Sequence, residues 1–290
     1  MSEARRIIGV ALLRNEEFFA FWALSNAVGF CDELIVLDNR STDGTSAKLE
    51  AFQALHPNVT VHRTEDPNTS HRFVEGYAGQ DVWVFGVDGD EIYDPAGLAR
   101  LRSRILGGEF DDYWTVSGYM LHAVEVDLSS GRAHGHTNPH TTCGNKLFNF
   151  RALVSWEEPE RERLHGRNEE FRPGYSRKAS LDLAARDAWE SCDLRAIHLC
   201  FFPRTSVDAV DPIKRQNPME LRATVFRRFH NAVKDFLAAP FSRDAGYKTR
   251  KYRRGPVVTR EIQAFRRPSR WAEHDPGAAE AEAVLQGPAR

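Results

Sequence analysis

Residues 82–95, VWVFGVDGDEIYDP, limit the fold of this chain more than any other stretch. Val82, Trp83, Val84, Phe85 and Val87 are β-branched or aromatic, and no polar side chain interrupts positions 82–87. A strand of that kind has no solvent side, so it predicts an interior strand covered on both faces, as in layered α/β proteins. Asp88, Gly89, Asp90 and Glu91 follow immediately, with Asp94-Pro95 just beyond. The first question is what gathers so much negative charge where a buried strand leaves the core.

The preceding residues alternate strand-like and helix-like segments. RRIIGVALL (5–13), ELIVL (33–37) and NVTVHR (58–63) read as strands; NEEFFAFWALSNAVG (15–29), SAKLEAFQALH and HRFVEGYAG (71–79) read as helices. This order predicts a Rossmann-like, doubly wound, mostly parallel sheet. Ligands of such sheets collect beyond the carboxyl ends of the strands, where Asp38 and the acids at 88–91 both fall. The second half is less regular. YWTVSGYML (113–121), NKLFNF (145–150) and LRAIHLCFF (194–202) read as strands, with the polar loop 127–144 between the first two. Helical character runs from Pro218 to Ala238, and the end, DPGAAEAEAVLQGPAR, reads as disordered on composition. The expected organisation is a domain over 1–240, with a nucleotide-binding half (1–106) and an acceptor-side half (107–240). A basic extension and tail follow over 241–290.

Three chemistries fit Asp88-Gly89-Asp90. A solvated turn with Asp94-Pro95 capping the next helix is the plain one. A calcium loop requires a glycine at its sixth position, which this run lacks. A divalent cation, Mg²⁺ or Mn²⁺, takes one or two carboxylates together with phosphate oxygens and water, and Gly89 would let a ligand approach the backbone closely.

Two further stretches sharpen the third reading. LLRNEE (12–17) closes the first strand with Asn15, Glu16 and Glu17, and VLDNRSTDGT (36–45) closes the second with Asp38. Over roughly residues 6–106 the three elements, in order, resemble family 2 glycosyltransferases of the GT-A fold. The resemblance implies that Asn15 or Glu16 lies along the nucleoside and that Asp38 accepts a hydrogen bond from the base. It implies that Asp88 reaches the ribose or the metal and that Asp90 ligates the metal bridging the diphosphate, with Arg72 near the base. Asp43 and Gly44 are expected to shape the turn and cap the following helix.

NKLFNF, ERLHG (162–166) and IHLCF (197–201) are similar to a progression found in lipopolysaccharide core glucosyltransferases. That likeness makes His198 a metal ligand or diphosphate contact; a histidine satisfied inside a strand is the plain alternative. Gly166 stands where the subgroup carries a glutamate suspected as the base. Glu157, Glu158, Glu160 and Glu162 lie just upstream, and Glu158, held extended by Pro159, is the candidate base.

Other features have milder readings. His134, His136 and His140 with Cys143 match no standard zinc spacing, so their loop reads as acceptor-contacting. Residues 243–270 carry ten Lys and Arg against two acids, which suits a solvated face, a flap over a diphosphate or peripheral contact with an anionic membrane. With 41 acids against 39 Lys and Arg, and no nucleic-acid-binding motif, a nucleic-acid partner is not expected. Four cysteines without C-x-x-C spacing, no membrane-length apolar run and no signal-peptide pattern suggest a cytoplasmic protein. The expected partners are therefore a nucleotide-sugar donor, a UDP-sugar first, and a glycan or small-molecule acceptor, with Mn²⁺ or Mg²⁺ as cofactor. Two alternatives remain open. A nucleotidyltransferase would carry a Gly-rich loop after the first strand, and LLRNEE has none; a non-catalytic binder would hold donor without turnover.

Overall fold

The computed structural model describes residues 4–137, 146–156, 164, 168–203, 205, 252–267, 274–275 and 277–287. Glu158 and its neighbours at 157–163, His140, Cys143, His165, Gly166, the helix expected over 218–238 and the basic residues up to 251 lie outside them.

The first half alternates as expected: β1 (Arg6–Leu13), α1 (Ala20–Ala27), β2 (Glu33–Asp38), α2 (Thr45–Leu55), β3 (Val59–Arg63) and β4 (Val82–Val87). Then come β5 (Glu91–Tyr93), α3 (Pro95–Leu106), β6 (Thr115–Ser117), β7 (Tyr119–Asp127) and β8 (Arg132–Thr137). They are followed by β9 (Leu147–Asn149), β10 (Leu153–Trp156), β11 (Glu169–Phe171), β12 (Ser180–Asp182), β13 (Arg195–His198), β14 (Val257–Glu261) and α4 (Ala278–Gln286).

Seven strands form the main sheet in the order β12-β6-β9-β4-β1-β2-β3. It is mostly parallel, with β9 inserted antiparallel between β4 and β6. β4 is buried along its whole length. Both of its faces are covered, as its continuous apolar run requires. Alternate residues face opposite ways, and the two sets enter different cores. Ile7, Ala11, Trp83 and Phe85 join Phe21 and Leu24 of α1, Phe52 of α2 and Leu101 of α3. Ile8, Val10, Val82 and Val84 join Val74, Trp114, Phe150 and Trp156. On this second face the helix expected at 71–79 is two 3₁₀ turns, Pro67–Phe73 and Glu75–Tyr77. Gly79, at φ +81°, ends that stretch in the left-handed region.

A second sheet, β14-β8-β7-β13-β5, lies beyond α1. The eight residues of α1 are all buried: Phe21 and Leu24 face the first core, while Trp22 and Ala23 join Ile92, Leu121 and Ile197 of the second sheet. A helix sandwiched this way can be apolar on all sides. The chain passes from the main sheet to the second at Asp88-Gly89-Asp90, between β4 and β5, and again at Gly118, between β6 and β7. The second crossing needs glycine, since a Cβ there would sit 1.8 Å from the Leu194 carbonyl oxygen.

The C-terminal segment corrects the sequence reading. Composition suggested a basic extension with a disordered tail, yet β14 pairs with β8 and α4 packs on the second core through Ala281 and Leu285. Alanine and glutamate are strong helix formers, and an i, i+4 apolar pair is enough to dock one short helix. Averaged composition hides that pair. Leu285→Ala should therefore lower unfolding free energy by about 2–5 kcal/mol in urea titration, as for a core leucine. A disordered tail would leave it within about 0.5 kcal/mol.

Candidate functional site

The parallel register sets the ends of β1, β2 and β4 at one edge of the main sheet, with Leu13 opposite Asp38 and Ala11 opposite Val87. Asn15, Glu16, Asp38, Asp88, Gly89 and Asp90 therefore share one rim. Their side chains do different things there.

Asn15, in the left-handed region at φ +50°, ties the first loop to the second. Its Oδ1 accepts the Thr42 backbone N–H at 2.7 Å, and its own N–H donates to Ser41 Oγ at 3.1 Å. The Glu16 N–H donates to Thr45 Oγ1 at 2.8 Å. Asp38 is buried, and its two oxygens accept the Ser41 N–H at 3.0 Å and the Ser46 hydroxyl at 2.5 Å. These bonds hold the turn, and a carboxylate's further lone pairs leave acceptor capacity beyond them. Asp43 accepts the Thr45 N–H at 3.0 Å, the turn role expected of it. The Gly44 N–H donates to Glu17 Oε2 at 2.6 Å. Gly89 serves packing: a Cβ there would fall 2.7 Å from Leu13 Cδ2 and 3.2 Å from Glu16 Cβ. Arg72 is exposed on the first 3₁₀ turn.

The acids beyond β4 each meet a basic side chain. β9 runs antiparallel beside β4, with Leu147 opposite Phe85, and so brings Lys146 to the strand's carboxyl end. Lys146 Nζ donates to Asp88 Oδ2 at 2.7 Å and to Glu91 Oε1 at 2.8 Å. Burial would push the ammonium's pKa down, but Asp88 and Glu91 outweigh it and raise it. Burial drives the Glu91 carboxyl upward against the pull of Lys146. Asp90 pairs with His198, Oδ2 to Nε2 at 2.9 Å, both buried. Burial opposes charge on that imidazole, yet Cys200 and Asp90 raise its pKa well above the usual range. Asp94 caps α3 by accepting the Ala96 N–H at 3.0 Å and pairs with Arg195 at 2.9 Å. The charge at 88–94 is thus spread over three separate basic partners.

Asp90 and His198, expected as metal ligands, come together. Asp88 leaves them and turns to Lys146. On the far side of His198, its Nδ1 faces His122 Nδ1 at 2.8 Å, and Cys200 Sγ lies 3.8 Å from the latter. The Tyr252 ring stacks on His122 with centroids 4.4 Å apart. Sequence reasoning counted Glu91 among the acids of this rim but missed His122 and Lys146 as members of the site. Lys146 opens a recognised strand and His122 interrupts an apolar one, but only strand register brings either to the rim. Of the histidines expected in a polar loop, His134 and His136 lie instead on β8, His134 Nδ1 3.0 Å from Thr259 Oγ1 and His136 Nδ1 3.2 Å from the Gly255 carbonyl. Neither belongs to a metal-sized cluster among the described residues.

No protein-family model and no curated protein match the chain. Among solved structures it is similar to glucosyl-3-phosphoglycerate synthase from Mycobacterium tuberculosis, in complex with Mn²⁺, UDP-Glc and phosphoglyceric acid. That likeness has 23% identity over 40% of this chain and 44% of the other, with a TM-score of 0.32. It therefore spans less than half the length of that enzyme. A mannosyltransferase from Pyrobaculum calidifontis, in complex with GDP-Man and Mn²⁺, is similar at 14% identity over 97% and 76% of the two chains, TM-score 0.38. The 4-diphosphocytidyl-2C-methyl-D-erythritol synthase of Anaerococcus prevotii matches at 11% identity over 51% and 73%, TM-score 0.33. Scores this low say nothing about activity, so function has to be argued from the rim itself.

Lys146 offers a direct test of that rim. Lys146→Met should cost about 3–5 kcal/mol at neutral pH, because it strands Asp88 and Glu91 without their cation. Lowering the pH until both carboxyls are protonated should shrink the difference, and urea titration at two pH values would measure it.

Proposed function

We propose that this chain is a GT-A-type glycosyltransferase, related to family 2, that moves a sugar from a nucleotide-sugar donor to an acceptor hydroxyl with inversion. The observation that best supports this is the buried Asp90–His198 pair at the carboxyl edge of the parallel strands, 2.9 Å apart. Adjacent ligands on an octahedral ion with bonds of ~2.0–2.1 Å lie about 3 Å apart, so the spacing suits Mn²⁺ or Mg²⁺ once the shared proton leaves and the two groups turn toward the ion. A cation held there would draw negative charge from the departing diphosphate.

The remaining roles follow from the chain's own side chains. Asn15 and Glu16, fixed by cross-loop hydrogen bonds, and Asp38, fixed within its own turn, would line the nucleoside, with UDP as the first choice. Asp88, anchored by Lys146, would take the ribose rather than the metal. Arg72 would approach the base from its exposed turn. Glu158 would accept the acceptor's hydroxyl proton; the acceptor is a glycan or a small molecule. Tyr252 against His122 brings the described end of the basic stretch beside the Asp90–His198 pair. This supports a flap over the diphosphate in preference to a membrane contact. No described helix is long and apolar enough to cross a membrane. The described cysteines Cys31, Cys192 and Cys200 carry no disulfide, which suits the cytoplasmic location we infer.

Thermal unfolding with UDP-, GDP- and CDP-sugars, with and without Mn²⁺, tests the reading. One donor at 100 times its Kd should add about 2.7 kcal/mol of stability. Asp90→Asn should lose the Mn²⁺-dependent part of that gain, after correction for its own ligand-free midpoint. Stabilisation by none of them would reject a nucleotide-sugar protein of any kind. Stabilisation without turnover on any acceptor would leave a binder, and pyrophosphate release from a nucleoside triphosphate and a sugar phosphate would indicate a nucleotidyltransferase. With donor and acceptor found, Glu158→Gln should slow turnover by about 10²–10⁴-fold and leave donor binding unchanged.

A further inference from the structure

The second sheet carries two groups that the proposed sugar transfer does not use, His122 and Cys200, beside the His198 that it does. His122 on β7 and His198 on β13 are register partners in a parallel pair, so their side chains leave the same face side by side. Both are buried, and Cys200 follows two residues after His198 at the margin of solvent. One ligand atom from each of the three lies within 4.8 Å of the others. Behind His198, on the ring edge away from His122, stands the buried carboxylate of Asp90. Tyr252 covers the cluster, stacked on His122 and edge-on to His198 with centroids 5.0 Å apart.

We propose that His122, His198 and Cys200 form a binding site for a thiophilic transition metal such as zinc, with Asp90 orienting His198 from the opposite edge of its ring. Zinc takes imidazole nitrogen at ~2.0–2.1 Å and thiolate sulfur at ~2.3 Å, which puts tetrahedral ligands about 3.3–3.6 Å apart. The observed 2.8 Å between the two Nδ1 atoms and 3.8 Å from Cys200 Sγ to His122 Nδ1 bracket that range. Small side-chain rotations would admit the ion. A carboxylate accepting the far N–H of a liganding histidine fixes its tautomer and strengthens it as a donor, which is what Asp90 at Nε2 is placed to do for Nδ1. Two nitrogens and a sulfur discriminate against Mg²⁺ and Mn²⁺, which prefer oxygen. Three protein ligands leave a fourth position for water or a substrate atom.

This inference does not rest on the glycosyltransferase reading, because it uses the other edge of His198. A neutral imidazole has one lone pair, so an ion at Nδ1 excludes a second at Nε2. Zinc here would therefore compete with Mn²⁺ at the Asp90–His198 pair.

The test is metal binding by the full chain, reduced and stripped with chelator, with no donor present. Zinc should bind at one equivalent against a chromophoric chelator, and excess Mg²⁺ should not displace it. Cobalt(II) should give a thiolate charge-transfer band, a readout that needs no variant. Cys200→Ser should abolish the band and weaken zinc by at least about tenfold. Asp90→Asn should keep the band and weaken zinc by about 10–100-fold. His134→Ala should change neither. Cobalt binding without the band, or zinc affinity unchanged in Cys200→Ser, would overturn the proposal. Loss of binding in His134→Ala instead would place the metal on β8 and overturn it equally.

Discussion

Lys146 between Asp88 and Glu91 is the contact on which the architecture turns. Asp88 stands just past the end of β4 in the main sheet, Glu91 opens β5 of the second sheet, and Lys146 directly precedes β9, the strand inserted beside β4. One ammonium thus joins three chain segments where two sheets meet. Burying these charges is costly, and their mutual attraction offsets the cost only while all three are present. The geometry at the rim is accordingly held by charge as much as by packing.

Around that junction the apolar layers leave little freedom. α1 is buried on every side between the two sheets. Its polar residues are committed inward: the Ser25 hydroxyl donates to the Phe21 carbonyl, and Asn26 Nδ2 donates to the carbonyls of Tyr93 and Phe265. Asn26 thereby ties the C-terminal segment to β5. Arg195 does the same from another side, pairing with Asp94 while its guanidinium lies over Trp189 and Phe265. A guanidinium can be buried this way because its plane stacks on rings while its edge bonds a carboxylate. The segment around Phe265 therefore helps to fix β5 and, through it, the acids at the rim.

The rim then divides its labour. Asn15 and Glu17 lock two loops together while Asp38 and Asp43 hold the second turn, so a ligand would meet a surface already formed. Preorganised acceptors of that kind cost little to bind against. Asp90 differs. It reaches a histidine, and that histidine reaches another, so a chain of titratable groups extends from the edge of the main sheet into the second. Any chemistry that moves charge at Asp90 is coupled to that chain.

What the sequence determined by itself was local. The unbroken run 82–87 required cover on both faces, the 2-to-3.6 change of period marked the strand–helix alternation, and the acids after β1, β2 and β4 marked the rim. Each of these signals lies within a dozen residues, where hydrophobic pattern and turn chemistry are decided. Composition misjudged 278–286, because an i, i+4 pair docks α4 and averaging dilutes it. Only the tertiary structure decided how the acids are partnered. Lys146 meets Asp88 across 58 residues, and His198 meets His122 across 76. Those meetings depend on β9 running antiparallel beside β4 and on β13 lying in register with β7. Strand order and register are set by which faces must be buried together, a property of the whole chain that no single motif carries.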